Sequence, residues 1–115
     1  MILLNEQITI VKKSKFIAYL YELETLEEVK EIIKNLKNEH KKAKHFVYAF
    51  KFQNTAGKSD DKEPSNTAGL PLYNLLEFKN AHNKLIVVIR YFGGTKLGVG
   101  PLTRAYKNAG LSVLD

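Results

Sequence analysis

Apolar and polar positions trade places at every second residue over residues 7–11 and again over 16–23, with Lys12-Lys13-Ser14-Lys15 between them. This pattern predicts two strands, adjacent in an antiparallel sheet. At Thr25 the period changes. Leu26, Val29, Ile32, Ile33 and Leu36 fall on one stripe at helical spacing, and Thr25 with Glu28 makes a capping-box pattern, which predicts a helix over 25–39. Its other face carries Glu27, Lys30, Glu31, Lys34 and Lys37 and reads as solvated. Residues 45–52 alternate as a third strand, with Phe46, Tyr48, Phe50 and Phe52 on one side. Residues 53–67 read as a long polar loop of the kind that is often functional or disordered. Pro71 opens a short helix with Leu72, Leu75 and Leu76 facing inward. The β-branched run from Leu85 to Ile89 predicts a buried strand extending to Phe92. A glycine-rich loop follows, and Pro101 opens a last helix with Leu102, Ala105, Tyr106 and Ala109 on one face. The order ββαβαβα predicts an α+β fold, a mixed or antiparallel sheet with helices packed on one face.

Composition narrows the classes. A chain of 115 residues, 44% of them hydrophobic, suits one domain with a core of its own. It has no cysteine, which excludes disulfides and thiolate metal sites and fits a reducing compartment. No signal-peptide pattern and no apolar run of membrane-spanning length is visible, so a cytoplasmic, soluble protein with no membrane partner is expected. The net charge of +6 comes almost wholly from lysine, since Arg90 and Arg104 are the only arginines. Such an excess draws polyanions. A lysine-rich proteome would give the same excess.

The loop Gly93-Gly94-Thr95-Lys96-Leu97-Gly98-Val99-Gly100 holds the most informative chemistry. A strand that ends in a glycine loop and enters a helix brings free backbone N–H groups close to an anion. Lys96 and Arg104 add positive charge beside it, and Arg90 closes the preceding strand. Val99 and Gly100 stand where a phosphate-binding loop needs Lys and Ser/Thr, and Thr103 stands at the third glycine of a dinucleotide fingerprint, so neither standard nucleotide pocket fits. Two readings stay open: a tight turn that needs positive φ, or an anion site that offsets the cost of Arg104 in the first helical turn.

Asp60, Asp61 and Glu63 also read in more than one way. They suit turn and capping roles, a Mg²⁺ or Ca²⁺ site lacking the regular ligand alternation, or an ion pair with Arg90 or Arg104 that fixes the loop against the glycine segment. His45 precedes an aromatic strand; no histidine has ligand spacing with another. No serine lies in a nucleophile elbow. Lys41, Lys42, Lys44 and Lys96 with Tyr48, Phe52, Tyr91 and Phe92 are candidates for a stacking and phosphate surface, although no standard RNA-binding motif is present.

Lys13-Ser14-Lys15-Phe16-Ile17-Ala18, His45 with Tyr48-Ala49, the block from Ser59 to Pro71, and Arg90-Tyr91-Phe92-Gly93-Gly94-x-Lys96-Leu97-Gly98-x-Gly100 with Arg104-Ala105-Tyr106 together resemble the N-terminal domain of the IMPACT (YigZ-like) family. The resemblance covers nearly the whole chain. It implies a fold similar to domain IV of elongation factor G and a link to translation. Eukaryotic relatives act on a stress-responsive kinase pathway through a ribosome-associated activator. No catalytic residue and no cofactor is implied. His45, Asp60, Asp61, Glu63, Arg90, Lys96 and Arg104 carry over as motif positions lining one surface. Lys62 and Asn66 stand where relatives have Gly, which implies a stiffer acidic loop, and Pro101 replaces a Gly. Bacterial relatives continue into a ferredoxin-like second domain, which is expected to be absent here, residues 1–115 forming the IMPACT-type domain. The expected role is a translation-associated regulatory domain that binds RNA, the ribosome or a ribosome-bound protein through Arg90, Gly93, Gly94, Lys96, Gly98, Gly100 and Arg104. The alternatives are a metal-assisted hydrolase using Asp60, Asp61, Glu63 and His45, or a pure protein-interaction module.

Overall fold

A computed structural model describes residues 1–114. The element order is β1 (Ile2–Val11), β2 (Ser14–Glu22), α1 (Glu28–Glu39), β3 (His45–Phe52), β4 (Thr55–Ser59), α2 (Gly69–Phe78), β5 (Lys84–Tyr91) and α3 (Val99–Leu114). The strands form one sheet in the order β1-β2-β5-β3-β4, with every neighbouring pair antiparallel. The expected α+β class and the β1–β2 pairing are both present. β1 begins five residues earlier than its alternation, at Ile2 rather than Gln7. A register shift between Leu3 and Asn5 breaks the period there, so ladder pairing with β2 extends the strand where the side-chain pattern does not.

The helices occupy both faces of the sheet, not one. Phe16, Ala18, Leu20, Val47, Ala49, Ile86 and Val88 pack against α2 and α3. Ile17, Tyr19, Phe46, Leu85, Val87 and Ile89 face the other way, against Val29, Ile32 and Leu36 of α1. The reason is legible in β5, where Leu85 to Ile89 are all fully buried. A strand apolar on both sides requires cover on both sides, and one helical layer cannot supply it.

Two further local differences bear on the site. Residues 55–59, within the expected loop, form the edge strand β4, which pairs Phe50 with Gly57 and Phe52 with Thr55. Gly57 and Lys58 are weak strand formers, so pairing to the aromatic β3 outweighs their local preference. At the start of α1, Glu28 does half of the expected capping box. Its Oε1 accepts the backbone N–H groups of Glu24 and Thr25, and its Oε2 accepts the N-terminal ammonium at 2.8 Å. The ammonium hydrogen bond, then the backbone ones, hold this carboxyl below its ordinary range. At the other end His40 bridges the hydroxyls of Tyr19 (3.0 Å) and Tyr91 (2.6 Å) and pins α1 to the sheet.

Candidate anion-binding site

The C-terminal end of β5, the start of β3, the acidic loop and the glycine loop meet above the α3 side of the sheet. Cross-strand pairing places His45 directly opposite Arg90, and Arg90 opposite Phe16. All three side chains therefore leave the sheet on the same face. Glu63 enters from the loop between β4 and α2, so that the Arg90 Nη1 donates to both of its oxygens, at 3.0 and 2.7 Å. The Tyr106 hydroxyl donates to Glu63 Oε2 at 2.5 Å from α3, and His45 Nε2 lies 3.3 Å from Oε1. His45 Nδ1 donates to the Asp61 carbonyl at 2.7 Å. Arg90 Nη2 reaches Ser14 Oγ at 3.4 Å, and Nε has no partner among the described residues. The guanidinium lies 5.7 Å from the Phe16 ring and 5.8 Å from the Phe92 ring. Arg90, Glu63 and His45 are all at least nine-tenths buried, and Tyr106 and Ser14 are wholly so. Burial, then the Glu63 carboxylate, pushes the Tyr106 phenol far above its ordinary value, which keeps it a donor.

A pocket of about 320 Å³ opens above this cluster. His45, Glu63, Arg90 and Leu102 line it, and Phe92, Lys44 and Lys96 stand at its rim. Lys44 and Lys96 are exposed and make no ion pair among the described residues. The glycine loop forms one wall, and its glycines do different work. Gly93 is a packing glycine: a methyl there would lie 2.1 Å from the carbonyl carbon and oxygen of Lys13. Gly94 turns the chain at φ +86. The Gly98 carbonyl accepts the Leu102 N–H at 2.9 Å and so begins α3, whose first turn holds Gly100. Among the described residues, no backbone hydrogen bond is donated by the amides of Gly94, Thr95, Lys96 and Leu97. Because α3 begins at Val99 and not at Pro101, Arg104 lies in the second turn, where the helix dipole exerts little penalty. Arg104 is exposed, and its Nη1 lies beside Gly100.

The acidic residues separate rather than converge. Asp60 accepts the amides of Ala68 and Gly69 (3.2 and 2.8 Å) and of Asn66 (2.9 Å), capping α2 from a distance. Asp61 Oδ2 accepts the Phe46 amide at 2.6 Å. Only Glu63 turns inward, where it makes the ion pair with Arg90. No group of three potential ligands that could hold a metal forms among the described residues. The ligand set that the hydrolase alternative needs is not assembled. Tyr106 reads in sequence as a core residue of α3, and periodicity does not show that its hydroxyl completes the cluster.

Backbone strain gathers around the site. Lys12 (φ 46) and Lys13 (φ 71) form the whole β1–β2 turn, and Asp61, Lys62 and Asn66 are also left-handed. Lys62 and Asn66 are the positions at which the resemblance implies glycine, and their left-handed backbone is the conformation that glycine adopts at least cost. The substitution Lys12→Asn is expected to stabilise the domain by about 0.5 to 1 kcal/mol, because Asn tolerates this region better than Lys. Chemical denaturation would measure it, and an unchanged midpoint would mean that the turn carries no strain.

A model of the Impact N-terminal domain matches residues 12–114. The chain is 38% identical over 105 residues to the IMPACT family member YvyE of Bacillus subtilis, covering 89% of this chain and 48% of that one. It is 40% identical over 107 residues to an IMPACT family member of Haemophilus influenzae, covering 85% and 50%. The chain thus spans about half the length of these curated relatives. A solved structure of a hypothetical protein superposes with a TM-score of 0.90 at 32% identity, covering 95% of this chain and 55% of the other. The two-domain translational regulator Yih1 shares the fold, with a TM-score of 0.57 at 20% identity over 96% of this chain and 46% of its own.

Proposed function

Since the chain belongs to the Impact N-terminal domain family, we propose that it is a translation-associated regulatory domain that docks a phosphate-bearing RNA surface, such as ribosomal RNA, at the pocket between the glycine loop and β3. The name of one structural neighbour, the two-domain translational regulator Yih1, supports the translational setting, which would place it in the cytoplasm. No helix among the described residues is long and apolar enough to cross a membrane. The observation that carries the reading is the pocket rim itself: Lys44 and Lys96, which make no ion pair among the described residues, beside loop amides that donate no backbone hydrogen bond among them. The buried ionic cluster beneath serves as a rigid floor. Arg90 is committed to Glu63, so its part is to hold the rim in place.

Binding of this kind responds steeply to salt. Titration of a labelled structured RNA at increasing ionic strength is expected to give an affinity that falls linearly with salt on logarithmic axes. Lys96→Gln is expected to weaken binding across all sequences and to reduce that slope by about 0.7 to 0.9. A flat salt response, or a variant that binds like the parent, would overturn the reading.

A further inference from the structure

We infer that the opposite face of the sheet carries a second, separate site, a groove between α1 and β3 that takes a single-stranded nucleic acid by base stacking. This inference stands on different residues from the pocket above. His45 and Phe46 leave β3 on opposite sides, so the two sites are separated by the sheet. The groove has a volume of about 660 Å³ where Ile33, Lys34 and Lys37 face Phe46 and Tyr48. It continues as about 340 Å³ past Val29, Lys30 and Tyr48 to Phe50.

Its two walls differ in chemistry. One is a lysine rail. Lys30, Lys34 and Lys37 recur at one per turn along α1 and span roughly 10 Å of helix. All three are exposed, and none pairs with a carboxylate among the described residues, although the helix also carries Glu28, Glu31 and Glu39. The other wall is aromatic. Beyond Phe46, which α1 buries, the same side of β3 shows Tyr48, Phe50 and Phe52, each only partly covered. The Tyr48 and Phe50 rings are near-parallel, 21° apart with centroids at 6.4 Å. Opposite Phe50 on β4 stands Gly57, where a methyl would lie 2.5 Å from the ring, so the absent side chain lets Phe50 lie across the strand. Lys37 Nζ stands 5.8 Å from the Phe46 ring.

Cations on one side and ring faces on the other suit a chain whose phosphates and bases diverge, which is how single strands are held. An acidic peptide would use the rail and leave the rings without a partner. A duplex would hide its bases from them. Two carboxylates line the groove against the three lysines. Asp61 is bonded to the Phe46 amide, and Glu27 lies at the far end.

The test uses the 115-residue chain, which has no tryptophan. Tyr48→Trp places a lone indole in the groove. An oligouridylate of about twelve nucleotides is expected to quench it, while heparin, polyglutamate and the same strand annealed to its complement leave it unchanged. The exposed triple variant Lys30→Gln/Lys34→Gln/Lys37→Gln is expected to weaken single-strand binding by about tenfold or more and to lower the salt slope by about 2. Single-strand binding without quenching, or quenching by heparin or polyglutamate alike, would overturn the inference. Lys96→Gln separates the two sites. Weakened structured-RNA binding in Lys96→Gln, with indole quenching intact, supports both assignments. Single-strand binding abolished by Lys96→Gln and untouched by the triple variant would remove the groove and leave the pocket.

Discussion

Replacing Gly93 with alanine is expected to destabilise the domain by about 3 kcal/mol and to lower its melting temperature by on the order of 10 °C. The atoms that an added methyl would meet are the carbonyl carbon and oxygen of Lys13, 2.1 Å away. Backbone atoms cannot swing aside as a flexible side chain can. Either the β1–β2 turn lifts off the glycine loop or the loop moves, and both dismantle the wall of the pocket. The other loop glycines supply the controls. Gly98→Ala meets nothing closer than 3.7 Å and should be almost neutral. Gly94→Ala has open space but a φ of +86, so only conformational strain of about 1 to 2 kcal/mol is expected. Thermal melts of the three variants should rank Gly93 well below Gly94 and Gly94 below Gly98. A Gly93→Ala protein that melts with the parent would mean that the hairpin does not rest on this loop.

Glu63→Ala should be comparably damaging, at about 3 to 5 kcal/mol, because it strands the Arg90 guanidinium in a site with almost no solvent. The carboxylate receives both Nη1 contacts and the Tyr106 hydroxyl, so one truncation orphans donors on β5 and α3 together. Tyr106→Phe removes a single donor and is expected to cost about 1 to 2 kcal/mol. If the damage comes from uncompensated charge, a double replacement of Arg90 and Glu63 by apolar residues of similar volume should be milder than Glu63→Ala alone. Denaturant midpoints across these variants decide the matter. A Glu63→Ala protein within 1 kcal/mol of the parent, a threshold well below the expected range, would show that the cluster does not hold the loop.

Strand and helix identities were largely legible because period is a strong signal wherever one face is buried. The stripe of α1 and the run at Leu85–Ile89 each mark their element without ambiguity. The two-sided layering was encoded in that same run, yet counting helices does not reveal which face each covers. β4 was hidden because Ala56, Gly57 and Lys58 have little strand preference of their own and are held by β3. Within the site, the glycine loop and its cations announce themselves by composition. The division of the acidic loop into a helix cap, a strand tie and a buried ion pair does not, since Asp60, Asp61 and Glu63 are chemically alike in sequence. Only the left-handed turns at Asp61 and Lys62 send the neighbouring carboxylates in different directions.

The strand order has a consequence for how the polypeptide assembles during synthesis. β2 and β3 never touch; β5 lies between them and joins both. The pairing of Phe16 with Arg90 closes a very long loop, and such closures are slow. Until the chain has been extended through Tyr91, the first hairpin and the β3–β4 hairpin are two unjoined ribbons, each with a raw edge facing the gap that β5 will fill. In a nascent chain of this domain both inner edges therefore stay open to wrong partners until β5 emerges, and that single late strand ends the exposure.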